Sequence, residues 1–264
     1  TSVLSIVNKK KFRVVAGEIV ENILFDDSGK VTGVKTNLSS FDSDFVILSG
    51  GIIGTCGLLF RAKHVNKNAE NNILKDLVIG TEIQDHTNLR INVTTKKKIG
   101  SLNEIYYSVY SKFLLMLRHI LGKSTLMTGT GATSAAHLDL NQDGVVDTRI
   151  HIVQFTESGR HGSGGKYFGN NPGFSISITP INPESKGELT LEGDKTTINP
   201  KYLSSKIDIE LLKLALKYCL NLLHSEPLSD HILEIEDEYT MEHDPEQYIF
   251  DTIYSGAHLI GGTQ

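Results

Sequence analysis

The chain has 264 residues, 39% of them hydrophobic, with a formal net charge of -5. That is apolar material for one large domain or two smaller ones, and its acidic and basic residues are interspersed, which excludes the clustered basic patch of a nucleic-acid surface. No apolar run reaches the ~20 residues of a membrane-spanning helix. Cys56 and Cys219 are too few for a disulfide framework or a clustered metal site, and their apolar neighbours make them buried structural thiols.

Residues 11–25 read as strand, Asp26-Asp27-Ser28-Gly29-Lys30 as a hairpin turn, and Val31 to Val34 as the returning strand. The chain opens at Thr1, without Met, directly into this strand-rich stretch. An upstream segment is therefore expected, and the lack of a signal-peptide pattern leaves the cellular location open. Phe45-Val46-Ile47-Leu48 is wholly apolar and predicts a short strand buried on both faces. Gly50-Gly51 breaks it, and Gly54 to Phe60 opens a helix.

Ser101 to Leu121 predicts one long helix. Ser101 and Glu104 have capping-box spacing, Ile105, Val109, Phe113 and Leu117 recur every four residues, and Gly122 is a stop signal. A Gly/Thr/Ser-rich loop follows at 124–135. Arg149 to Phe155 alternates as a strand, and His161 to Gly165 reads as a flexible polar loop. Phe174 to Thr179 and Glu188 to Leu191 alternate again. Ser205 to His224 predicts a second strong helix, with Leu211, Leu212, Leu216, Leu220 and Leu223 on its apolar stripe. There is no internal repeat or low-complexity segment. Antiparallel-looking strands mixed with separate helices make the fold class α+β.

No Gly-x-Gly-x-x-Gly stands at a strand-to-helix junction. The nearest stretch, Gly129-Thr130-Gly131-Ala132-Thr133-Ser134, lacks the third glycine and reads as a loop, so the chain has no phosphate cradle of the dinucleotide-binding type. Asp139, Asn141, Asp143 and Asp147, with Gly144, imitate the opening of a calcium loop, but Ile150 stands where a bidentate Glu belongs. A plain turn is favoured and a calcium site stays open as the alternative. None of the other histidines forms the i, i+4 pair of a zinc helix, and no Gly-x-Ser-x-Gly elbow supports a hydrolase. His258 lies among small residues in Tyr254-Ser255-Gly256-Ala257-His258-Leu259-Ile260-Gly261-Gly262-Thr263. Such surroundings leave room for a ligand, and an unperturbed imidazole pKa of ~6.5 suits proton abstraction near neutrality. Taken alone, the commoner role of a lone histidine is structural.

Six stretches in order carry a resemblance. Ala16-Gly17-Glu18-Ile19-Val20-Glu21-Asn22-Ile23-Leu24-Phe25, with Val31-Thr32-Gly33-Val34, comes first. Val46-Ile47-Leu48-Ser49-Gly50-Gly51-Ile52-Ile53-Gly54-Thr55-Cys56-Gly57-Leu58-Leu59 is second, and Ile79-Gly80-Thr81-Glu82-Ile83-Gln84-Asp85-His86 third. Pro183-Glu184-Ser185-Lys186-Gly187-Glu188-Leu189-Thr190-Leu191, then Asn199-Pro200-Lys201-Tyr202-Leu203 with Asp208, and His258-Leu259-Ile260-Gly261-Gly262-Thr263 complete the series. Together they resemble the glucose–methanol–choline (GMC) oxidoreductases across nearly the whole chain. The departures are Ile52 where a small residue is usual, Cys56 and Leu259 where Pro is usual, Ala62-Lys63-His64-Val65 where the second signature closes, and Gly262 before the Thr.

The resemblance implies an FAD-dependent oxidation of a small-molecule alcohol, with His258 as the base. It implies that the backbone at Val20 meets the FAD adenine, and that Gly50 and Gly51 let the chain lie close to the flavin nucleotide. It divides the chain into a partial FAD-binding domain (1–65), a substrate-binding domain (66–248) and a return to the FAD domain (249–264). The family's N-terminal phosphate loop and its second active-site His or Asn have no counterpart here. The rest of the FAD domain is thus expected from flanking sequence, and this chain alone is expected to be inactive. The alternatives are a cofactor-free binding or scaffold module derived from the same fold, and a lyase or decarboxylase built on it.

Overall fold

The computed structural model describes residues 12–65, 74–126, 128–129, 132–157, 168–193 and 195–263. They fall into two compact units. One comprises Thr1–Ile83, Glu188–Asn199 and Gly261–Gln264; the other comprises Gln84–Gly187 and Pro200–Ile260.

In the first unit β1 (Val20–Phe25), β2 (Val31–Thr36) and β3 (Ser40–Asp42) form an antiparallel meander. The expected turn joins β1 to β2: the Asp26 carboxylate accepts the backbone N–H groups of Ser28 at 2.9 Å and Lys30 at 3.0 Å. Gly33 has no substitute in β2, because a Cβ there would lie 2.1 Å from the Phe41 carbonyl oxygen. Helix α1 (Gly51–Val65) starts three residues earlier than the apolar pattern predicts and buries Cys56, Leu58, Leu59 and Ala62. It packs on β1 and on β8 (Glu188–Glu192), which pairs with β9 (Lys195–Asn199).

Two strand expectations are corrected. Pairing begins only at Val20; the segment before it is irregular, with Val14 and Ile19 exposed. Phe45 to Leu48 is not a strand, and Phe45 is 85% and Ile47 89% exposed. Apolar composition cannot make a strand without a neighbour to take its backbone hydrogen bonds, and among the described residues no strand pairs with this run.

The second unit is built on an antiparallel sheet of order β10-β4-β7-β6-β5: β10 (Ile232–Ile235), β4 (Thr87–Thr95), β7 (Gly173–Pro180), β6 (Thr148–Val153) and β5 (Ala132–Leu138). The short β11 (Tyr254–Ser255) also pairs with β4, at its start. Register places Leu89 opposite Ile178 and Ile91 opposite Ile176, with Ile150 and Ile152 continuing those rows on β6. Because side chains alternate along a strand, these residues share one face. Helix α4 (Lys206–His224) covers it with Leu212, Ala215, Leu216, Cys219, Leu220 and Leu223. The α4 boundaries match the sequence expectation because both signals are local: the Ser205 hydroxyl caps it, accepting the Ile207 N–H at 3.2 Å, and its stripe meets the sheet. Leu216 is 1% exposed. Leu216→Ala is expected to lower stability by about 3 kcal/mol, read as a shift of the urea midpoint.

The expected helix 101–121 is two helices, α2 (Leu102–Tyr107) and α3 (Val109–Ile120). Glu104 accepts the Ser101 N–H at 2.8 Å, as the capping-box spacing predicts. Ser108, in extended conformation, interrupts the run, and its hydroxyl accepts the Ser111 N–H at 3.1 Å. A serine that can bond its own backbone competes with helix continuation. Gly122, at φ +69°, stops α3 as expected. The loop expected at 124–135 yields to β5 from Ala132 onward, and the polar loop at 161–165 lies outside the described residues. Two small helices, α5 (Glu238–His243) and α6 (Pro245–Thr252), lead into β11. No helix among the described residues is long and apolar enough to cross a membrane.

Candidate active site

In the second unit a single buried carboxylate gathers segments far apart in sequence. Asp85, 5% exposed, immediately precedes His86 and β4. It accepts hydrogen bonds from the Tyr202 hydroxyl, from the Ser255 hydroxyl at 2.6 Å and from the His258 backbone N–H at 2.8 Å. Burial pushes its carboxyl up, but the donors at Ser255, Tyr202, His258 and His86 outweigh that and hold it below the usual carboxylate range. Burial, reinforced by the bond to Asp85, pushes the Tyr202 phenol up to about 12, so it remains a donor at any ordinary pH.

The loop carrying His258 is fixed on either side of that bond. Gly256 donates its N–H to the His86 carbonyl at 2.7 Å, and a Cβ at Gly256 would lie 2.8 Å from the same oxygen. Ala257 adopts φ +57°, unusual for a residue with a Cβ, while its N–H is held by the Ser255 hydroxyl at 2.9 Å. On the far side, Ile260 exchanges backbone bonds with Gln84 at 2.9 and 3.1 Å.

The His258 side chain is exposed although its backbone is pinned. Its ring stands 6.1 Å from that of His86, at 69°. His86 is oriented in turn by a 3.0 Å contact from Nε2 to the Ile181 carbonyl. Both rings border a cavity of about 110 Å³, which Gln84, Asn182, Pro183 and Ile260 help to line. A fixed backbone with a free imidazole beside a cavity suits a group that must meet a reacting atom in one orientation.

The sheet face opposite the apolar core is polar. Arg90 and Asn92 of β4 stand beside Ser177 and Ser175 of β7, with His151 of β6 opposite Ser177. Arg90 pairs with Glu157 and lies over the rings of Phe155 and Tyr254. Among the described residues, Nε of Arg90 and Nε of Arg149 are buried with no hydrogen-bond partner. Burial, with Arg149 and Arg90 nearby, holds the His151 imidazole below its usual range and so neutral near pH 7.

The residues expected to hold a cofactor lie in the first unit. Val20 opens β1 opposite Thr36. Gly50 and Gly51 are exposed at the start of α1. Gly51 takes φ +69°, and a Cβ there would meet nothing within 4 Å. The first turn of α1 carries no acidic side chain. A phosphate-bearing nucleotide fits such a helix start. His258 belongs to the second unit and is not grouped with these three residues.

Several sequence departures coincide in the first unit. Gly262 takes φ +79°; a Cβ on it would lie 3.0 Å from Cys56 Sγ and 3.2 Å from the Ile52 side chain. The Cys56 thiol donates to the Gly262 carbonyl at 3.2 Å. Cys56 and Cys219 are both fully buried, as expected of structural thiols. In the calcium-like loop between β5 and β6, Asp139 accepts the Gly144 N–H at 2.8 Å, and Asp147 accepts those of Leu140 and Asn141 at 3.0 Å. These oxygens serve the turn itself. Sequence reasoning gave no role to Asp85, Tyr202 or Ser255; the pair Asp85-His86 was the available signal.

No family model matches the chain. A GMC oxidoreductase family protein, Mala s 12 of Malassezia sympodialis, is 22% identical over 272 aligned residues, covering 86% of this chain and 42% of the relative. Human mitochondrial choline dehydrogenase is 24% identical over 245, covering 84% and 39%. Among solved structures, a formate oxidase variant of Aspergillus oryzae RIB40, studied for its FAD modification, superposes with TM-score 0.80 at 16% identity, over 98% of this chain and 52% of that one. A pyridoxine 4-oxidase superposes with TM-score 0.69 at 17% identity, over 93% and 46%. The chain thus spans about two-fifths of the curated relatives and half of the solved chains, and the structural likeness establishes the α+β fold.

Proposed function

We infer that this chain is a segment of a GMC oxidoreductase and forms part of an FAD-dependent enzyme that oxidises an alcohol to a carbonyl, with His258 as its base. The observation that carries the reading is the contrast at His258: a backbone tied to buried Asp85 and a side chain free beside a cavity. In this reading a ring nitrogen of His258 takes the substrate hydroxyl proton as the carbon gives up its hydride. FAD, when bound, supplies the hydride acceptor. Asp85 keeps its charge and its place, holding Ser255, Tyr202 and the His258 N–H. His86 walls the cavity and limits the rotation of its neighbour.

The first unit contributes flavin-domain elements, with Gly50 and Gly51 admitting the nucleotide phosphates and Val20 meeting the adenine through its backbone. The second unit is the substrate domain, and its polar sheet face, with Asn92, His151 and two arginines, suits a polar substrate. The test uses the full-length protein that carries this chain. It is expected to purify yellow with bound FAD and to bleach anaerobically when an alcohol substrate is added. A colourless protein that takes up no added FAD would sink the reading in favour of a scaffold. A yellow protein that cleaves or decarboxylates its substrate without bleaching would assign a lyase instead.

A further inference from the structure

We propose that α3 is an interfacial anchor that lays its apolar face on an anionic lipid bilayer. No residue of this helix is buried. Its half-buried positions are Ser111 and Leu115, so the side facing the unit is the narrow one. The broad stripe faces outward: Val109 is 84%, Tyr110 74%, Phe113 57% and Ile120 70% exposed, with Leu114, Met116 and Leu117 also open. At 3.6 residues per turn these positions share one face. A stripe of that kind normally faces a core; here it faces away from one.

Charge selects the occupant. By the same spacing Arg118 borders the stripe on one side and Lys112 on the other, and Lys123 follows just beyond the helix. No Asp or Glu occurs from Ile105 to Leu138, although the whole chain is acidic. Long basic side chains at the rim of an apolar face can reach lipid phosphates while the stripe enters the acyl boundary. Tyr106, 48% exposed and lying under the Lys112 ammonium at 4.7 Å, extends the patch with a ring suited to the headgroup level. A second copy seated face to face would set these basic borders against their like, with no acidic group on the helix to answer them. With 12 residues the helix reaches only ~18 Å, too short to span the ~30 Å hydrocarbon core, so it lies on the surface.

The experiment is co-sedimentation of the full-length protein with phosphatidylcholine–phosphatidylserine vesicles and with pure phosphatidylcholine vesicles. Binding to the anionic vesicles, weakened by salt, is expected. Lys112→Ser with Arg118→Ser should weaken it roughly thirty-fold, since each basic side chain near such a surface contributes about a factor of five. Phe113→Glu with Leu117→Glu should abolish it; all four side chains are exposed, and circular dichroism checks that the fold is kept. No sedimentation with anionic vesicles at low salt would overturn the proposal. So would binding that both double variants leave unchanged. Light scattering supplies a third overturning outcome: a dimer that Phe113→Glu with Leu117→Glu turns into a monomer, which would assign the face to a second copy.

Discussion

His258→Ala in the full-length protein is expected to keep FAD bound and to slow alcohol-driven flavin bleaching by roughly a hundred- to ten-thousand-fold, the usual weight of a positioned acid–base group. The substitution is clean because the side chain is exposed and the contact with Asp85 runs through the backbone N–H, which alanine retains. The measurement is anaerobic stopped-flow at the flavin band, with the FAD content taken from the same spectrum. Bleaching at the wild-type rate would remove His258 from the mechanism.

Asp85→Ala is expected to act on stability and chemistry together. Three donors, the hydroxyls of Tyr202 and Ser255 and the His258 N–H, would lose a buried acceptor. Leaving such groups unsatisfied should cost about 3 kcal/mol, read from the urea midpoint. Turnover should fall more than KM rises, because the substrate still reaches the cavity but His258 is no longer held. Asp85→Asn, which keeps an acceptor oxygen, should recover part of both losses. The pH dependence has a definite sign. A carboxyl held below its unfolded value of ~3.9 stabilises the fold above that pH, and the contribution disappears as pH falls through the lower folded value. The acid limb of the stability profile should therefore be shallower in Asp85→Ala than in wild type. A variant that unfolds at the wild-type midpoint and turns over normally would remove Asp85 as the positioning group.

Local signals carried much of the second unit. The bounds of α4 follow from a serine cap and a leucine stripe, and β7 from clean alternation at Phe174 to Thr179. The central strand β4 is poorly legible in the sequence even though Leu89, Ile91 and Val93 alternate. Its intervening Arg90 and Asn92 look like surface residues, yet both sit on a face whose serines are buried. Phe45 to Leu48 failed in the opposite direction, since apolar composition reports a wish for burial and not the presence of a partner. The stripe of α3 is legible as a stripe, but periodicity does not say which way a face points. At the site, His258 stood out only through ordered motifs; its own neighbours made it ordinary. The group that holds it was hidden by distance, for Tyr202 lies 117 residues and Ser255 170 residues from Asp85. A network closed across such separations has no short-range spelling.

The meeting of Ile52, Cys56 and Gly262 has an evolutionary consequence. Each looks like a separate departure when the chain is compared with the family pattern, yet the three occupy one spot and fit one another. Their substitutions should therefore be epistatic. A bulkier residue at 262 has no room while Ile52 and Cys56 are present, and a proline at 56 would forfeit the thiol bond to the Gly262 carbonyl. In descendants or designed variants these positions are expected to change as a set, and restoring any one of them alone to the family's usual residue should cost more than restoring them together.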